Sequence, residues 1–185
     1  VGCIDYTIAP RYNRGQGDYL GKRRNMSLIE CNTLFGEKKS IPADRVSFRP
    51  SVYGIIVRDG EVLFVNMRST GKLFLPGGGS EVSERLEEAL HREVREETGL
   101  EIEIERFVGF KEDFFYYDPL DVAFHGLMFF YLCKPLTWQL ATNDQIDDGE
   151  VERPQWVPID QLRLEDIQSH GEIVLNALQK KDLPS

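Results

Sequence analysis

From Ser51 onward the chain divides into apolar runs of two kinds, continuous and periodic, separated by turn residues. Residues 52–57 and 62–65 are rich in β-branched and aromatic side chains and flank Asp59-Gly60, so they predict a β-hairpin. A short apolar piece at 73–75 stops at Pro76, and a glycine-rich loop, 76–82, follows. Leu86, Ala89 and Leu90 are then spaced i, i+3, i+4 and predict a helix over roughly 83–98, with Ser83 as N-cap and Gly99 as C-terminal cap. Residues 101–110 alternate through Ile102 and Ile104 as a strand does, and Asp118-Pro119 breaks an aromatic run. The segment 122–133 is nearly continuous in hydrophobicity, which predicts a strand buried on both faces. Residues 141–150 form an acidic loop, Trp156-Val157 opens a last short strand, and 171–180 has helical spacing. Strands mixed with two helices predict an α+β fold with a mixed sheet covered by helices.

The helical stripe of Leu86, Ala89 and Leu90 does not stay apolar. One turn on it reaches Glu93, Glu96 and Glu97. At 3.6 residues per turn these lie within about 40–60° of the apolar line. Like charges at the 93/97 spacing cost a helix about 0.2–0.5 kcal/mol. A divalent cation would convert that repulsion into ligation, and an all-oxygen donor set suits magnesium, with manganese as the alternative. The plainer reading is a solvated acidic face paired with Arg92 and Arg95.

The chain has 185 residues, enough for one domain with a core. Its net charge of −9 argues against a nucleic-acid surface but not against a small phosphorylated substrate, because a bound cation reverses the local field. Cys3, Cys31 and Cys133 are odd in number and widely spaced, which predicts reduced thiols in a cytoplasmic protein. No apolar run reaches 18 residues, and no membrane association is expected. Residues 1–25 carry a net +3, leaving −12 on the other 160. They read as a poorly ordered extension, with a basic partner-binding arm as the alternative.

Residues 78–100 resemble the signature of the Nudix hydrolase family (MutT-like). Gly78 is followed after five residues by Glu84, and after seven more by Arg92-Glu93-Val94-Arg95-Glu96-Glu97-Thr98-Gly99-Leu100. All nine specified positions match at fixed spacing. The wider resemblance runs over roughly 46–165, so residues 1–45 are read as an N-terminal extension, in part ordered, and 46–185 as the Nudix hydrolase domain. The resemblance implies an α/β/α sandwich around a central mixed sheet. It also implies metal-dependent hydrolysis of a nucleoside diphosphate linked to another group.

Carried over residue by residue, Glu93, Glu96 and Glu97 match the family's metal ligands, and Gly77 or Gly78 would offer a backbone carbonyl. Arg92 resembles the residue that orients those carboxylates, and Glu84 a supporting acid. Gly78 and Gly79 belong to the loop expected at substrate. Glu150 and Glu152 are candidates for a further ligand, and a carboxylate from Glu97 or from that loop for the general base. Arg68 resembles a position that contacts substrate phosphate, whereas Arg49 reads as structural. Phe114, Phe115, Tyr116 and Tyr117 are open between stacking on a base and plain packing, and His125 reads as a core histidine. The expected partner is a small nucleotide pyrophosphate, and a homodimer stays open. The alternative function is a nucleotide sensor of the same fold without turnover. An isopentenyl diphosphate isomerase ranks below both, because no cysteine is suitably placed.

Overall fold

A computed structural model describes residues 27–146 and 149–179. The strands, in chain order, are β1 (Leu28–Thr33), β2 (Lys38–Pro42), β3 (Val46–Arg58), β4 (Glu61–Met67), β5 (Leu73–Phe74) and β6 (Gly77–Gly79), followed by β7 (Ile102–Tyr117), β8 (Val122–Pro135) and β9 (Val151–Pro158). Helix α1 spans Leu86–Thr98 and helix α2 spans Gly171–Gln179. They form one mixed sheet in the order β2-β1-β7-β8-β3-β4-β5, with β6 also on β3 and β9 also on β4. β3 runs parallel to β8, and β7 antiparallel to it. The turn Asp59-Gly60 has φ of 47° and 79°, the left-handed pair that a two-residue hairpin requires.

Alternation along the central strands sends side chains into two cores. Ile55, Val57, Phe64, Phe130 and Leu132 face α2 through Val174, Ala177 and Leu178. Val52, Ile56, Leu63, Tyr131 and Cys133 face α1 through Ala89, Leu90 and Val94. The sandwich expected from the sequence is therefore present, and each fully buried side chain of this size contributes about 1.5–3 kcal/mol. A third, smaller cluster joins Cys31 and Ile41 to Tyr116 and Ala123.

Several local expectations change. β1 and β2, which the pattern did not predict, lie within the 1–45 segment and form an antiparallel pair, and β1 adds in parallel to the end of β7. The run 114–117 continues β7 rather than standing apart from it. Ser83 is not the N-cap: the helix begins at Leu86 behind Arg85, whose N–H donates to Glu88 at 2.8 Å. Residues 81–84 close a turn instead, with the Glu81 N–H donating to the Glu84 carboxylate at 2.8 Å. Gly99 caps the helix as expected, at φ 75°. The glycine loop is in part a strand, β6, paired with β3. Residues 1–25, with Cys3, and residue 180 lie outside the described residues. Among those described, no helix is long and apolar enough to cross a membrane.

Candidate active site

β3 passes one edge from β6 to β4, and at that handover the glycines of β6 meet the last turns of α1. Gly77 has φ 137°, and a Cβ there would lie 2.1 Å from the Val52 carbonyl oxygen, so only glycine lets β6 pair with β3. The Gly77 N–H donates to Glu97 Oε2 at 2.8 Å. A Cβ on Gly78 would stand 2.8–2.9 Å from the carboxylate atoms of Glu93, so backbone and carboxylate are in direct contact. Glu93 and Glu97 are buried, at 9% and 3% exposure, while Glu96 points to solvent.

One guanidinium organises these acids. Arg92 grips Glu84 with two hydrogen bonds, Nη2 to Oε1 at 2.6 Å and Nε to Oε2 at 3.1 Å. Its Nη1 donates to Glu93 at 2.9 Å and to Glu96 at 3.1 Å. Its Nη2 also reaches the Gly79 carbonyl at 3.2 Å. The Arg92 charge holds the Glu84 carboxyl below its ordinary range, and the carboxylates in turn push the Arg92 pKa further up. Among the described residues no three acidic, imidazole or thiol groups converge on a metal position. The Arg92 guanidinium and the Gly77 N–H draw the carboxylates onto themselves. The donor set still fits a hard divalent cation: carboxylate oxygens one turn apart on α1, beside backbone carbonyls that no Cβ obstructs.

A cavity of about 220 Å³ opens beside these residues. One wall holds Gly77, Gly78, Glu97, Arg49 and Glu150. A second comes from β1 and its turn (Asn32, Thr33, Leu34) and from β7 (Asp113, Phe115, Tyr117). A third is the loop before α2, Gln168 to His170, with Tyr53 and Phe74. Asn32 donates to Asp113 at 2.9 Å and ties the hairpin to β7. Tyr53 is buried, and desolvation pushes its hydroxyl up to about 12, so it stays protonated.

The family model described as NUDIX domain matches residues 47–177. The chain belongs to the Nudix family. With the whole Nudix box in place it is a pyrophosphohydrolase of the Nudix type. It is 28% identical over 137 residues to an ADP-ribose pyrophosphatase of Methanocaldococcus jannaschii, covering 71% of this chain and 74% of that one. It is 30% identical over 129 residues to a nucleoside triphosphatase NudI of Salmonella agona, covering 64% and 88%. Among solved structures, a Nudix hydrolase from Nitrosomonas europaea matches with TM-score 0.55 and 24% identity, covering 70% of this chain and 85% of the other. An ADP-ribose pyrophosphatase from Streptococcus suis matches with TM-score 0.53 and 20% identity, covering 74% and 96%. These two likenesses establish the Nudix fold.

Within the Nudix box, the structure brings Glu84, Glu93 and Glu96 around the Arg92 guanidinium and sets Glu97 against Gly77. Gly79 meets Arg92 through its carbonyl. Arg68 and Glu152 pair with each other at 2.8 Å, and neither lines the cavity. Glu150 does line it, and so does Arg49, which the sequence marked as structural. Among the described residues Arg49 makes no ion pair; it packs over Phe124 at 4.9 Å. The aromatic run splits by strand period: Phe115 and Tyr117 face the cavity, Tyr116 joins the third cluster, and Phe114 stacks on His125 at 4.3 Å. His125 is not a core residue, being half-exposed with Glu112 at 2.6 Å. Asn32, Asp113, Gln168 and His170 had no signal in the sequence, since no period or motif marks them.

Proposed function

We propose that this chain hydrolyses the pyrophosphate linkage of a nucleoside diphosphate joined to a second group. The observation that carries this reading is the pair of buried carboxylates, Glu93 and Glu97, packed against β6 backbone, with Glu97 lining a cavity that also holds Arg49, which makes no ion pair among the described residues. Glu93, Glu96, Glu97 and a carbonyl of Gly77 or Gly78 would hold a divalent cation, magnesium or in its place manganese, joined by Glu150 or Glu152. Bound there, the cation would neutralise the pyrophosphate and acidify a water.

The protein's own groups have separable tasks. Arg92 fixes the orientation of Glu93 and Glu96, and Glu84 fixes Arg92. Arg49 contacts a phosphate oxygen, ahead of Arg68, whose guanidinium is engaged by Glu152. Glu97 or Glu150 takes the proton of the attacking water, whose oxygen bonds to phosphorus as the bridging oxygen leaves. Two phosphate-bearing products result.

The test is product release from a panel of nucleoside triphosphates, ADP-ribose, sugar nucleotides and dinucleoside polyphosphates, each with magnesium, manganese or chelator. The proposal expects turnover of at least one member that chelator abolishes. Tight binding of a member with no turnover of any would favour a sensor instead.

A further inference from the structure

At about 220 Å³ the cavity is smaller than the roughly 300–1,000 Å³ that encloses a whole drug-sized ligand, so it takes one part of a substrate. Strand register sets out its two ends. Arg49 on β3, Gly126 on β8 and Asp113 on β7 lie in one row across three neighbouring strands. At about 4.8 Å per strand, the backbones at Arg49 and Asp113 are roughly 10 Å apart. A Cβ on Gly79 would come 3.0–3.1 Å from Nε and Nη2 of Arg49, so that guanidinium lies against β6, the strand that also meets Glu97. The other end of the row, on β7, is acidic.

The β7 end is open to a ligand. Alternation along the strand puts Phe114 on His125 and Tyr116 in the third cluster, so Asp113, Phe115 and Tyr117 take the opposite face, and all three line the cavity. The Asp113 side chain is 29% exposed. Its Oδ1 accepts from Asn32, another cavity residue, at 2.9 Å, which holds the carboxylate where β7 meets β1. Its Oδ2 lies 4.0 Å from the Lys111 ammonium, beyond hydrogen-bond reach. A carboxylate has about four acceptor sites, so this one has room for further donors. A Cβ on Gly126 would meet Phe115 Cε1 at 2.8 Å; the glycine is what lets the phenyl ring lie down on the sheet next to Asp113. An accessible carboxylate and an aromatic ring thus stand together, about two strands from the arginine.

We propose that Asp113, Asn32 and Phe115 form a subsite for a sugar ring, in which Asp113 accepts hydrogen bonds from adjacent hydroxyls. A sugar presents hydroxyl donors at its edge and C–H groups on its face, and a carboxylate beside an aromatic ring matches both. A phosphate at this end would set negative charge against Asp113, so the phosphate carrying the sugar lies toward Arg49. Two sugars can supply these hydroxyls: the ribose of the nucleotide, or a sugar joined to it through the diphosphate. The assignment rests on the pyrophosphohydrolase reading, since it takes the ligand to be a nucleotide derivative.

The experiment is calorimetric binding of ADP-ribose, ADP and 2′-deoxy-ADP to the full chain without added metal, for wild type, Asp113→Leu and Asp113→Asn, with a thermal melt of each. ADP-ribose against ADP reports a joined sugar; ADP against 2′-deoxy-ADP, which lacks the adjacent pair of hydroxyls, reports the nucleotide's own ribose. The inference expects one of these two preferences to reach about tenfold in wild type and to fall below about threefold in Asp113→Leu. Asp113→Asn keeps an oxygen for Asn32 but loses the charge, and should reduce the preference at least about threefold; it decides the matter if the leucine variant does not melt cooperatively. Neither preference in wild type, no binding of any of the three, or a preference unchanged in a folded variant would overturn the inference. A sugar preference that depends on Asp113, without turnover of any pyrophosphate, would keep this inference and remove the hydrolytic one; turnover without a sugar preference would do the reverse.

Discussion

Arg92 sets the electrostatic balance of the site by serving three carboxylates, Glu84, Glu93 and Glu96, with one planar group. A lysine cannot imitate that fork, because it offers a point charge where several divergent donors are used. Glu93 and Glu96 were readable because helical spacing along α1 sets them on one stripe, and Arg92 and Glu84 because they match the Nudix signature at fixed distances from them. Gln168 and His170 were not readable, because their roles come from contacts far along the chain, such as Gln168 with Leu34. His170 also makes a prediction of its own. Its pKa is pushed down to about 3, by burial first and by the Lys111 charge second, whereas an unfolded histidine titrates near 6.5. Below about 6.5 the unfolded chain takes up a proton that the folded chain refuses. Stability from this group is therefore intact above 6.5 and declines as pH falls toward 3, by at most about 1.4 kcal/mol per pH unit. Thermal melts between pH 7 and 4.5 should show a steeper loss in wild type than in His170→Phe; parallel slopes would refute the buried neutral ring.

Strand β6 is the element that turns the Glu93, Glu96 and Glu97 end of α1 into a site. Gly77 and Gly78 fail differently when a methyl is added. Gly77→Ala meets the Val52 carbonyl oxygen at 2.1 Å in a backbone conformation alanine rarely adopts, and should cost about 2 kcal/mol or more of stability in chemical denaturation. Gly78→Ala meets the Glu93 carboxylate, which a side chain can yield, so it should fold but lose at least about tenfold in kcat. The reverse pattern would mean that the β6 contacts are not as described. The sequence marked these glycines as a loop because three residues carry no strand period; pairing with β3 decides their state. β9 was shortened for a related reason. Its start, Val151 to Gln155, is charged and contains Pro154, yet it pairs with β4 along a register that shifts near Phe64. β3, β4 and β8 were visible because burial on two faces leaves long apolar runs.

The whole fold closes the cavity from three directions, and the N-terminal hairpin is one of them. β1 and β2 bury few residues, chiefly Cys31 and Ile41, so no apolar pattern announced them. They nonetheless place Asn32, Thr33 and Leu34 against the ligand space. A chain starting at Val46 should therefore melt at a lower temperature than one starting at Ser27 and show a KM raised at least about tenfold, with a smaller change in kcat. Equal KM values would show that the hairpin wall does not meet substrate. The most direct test of the account is steady-state turnover of the best panel substrate with magnesium by wild type and Glu97→Gln. The substitution removes charge but keeps an oxygen that accepts the Gly77 N–H, so the variant should melt near the wild-type temperature. The account predicts a loss in kcat of at least about a hundredfold. Activity within a few-fold of wild type in the folded variant would contradict it.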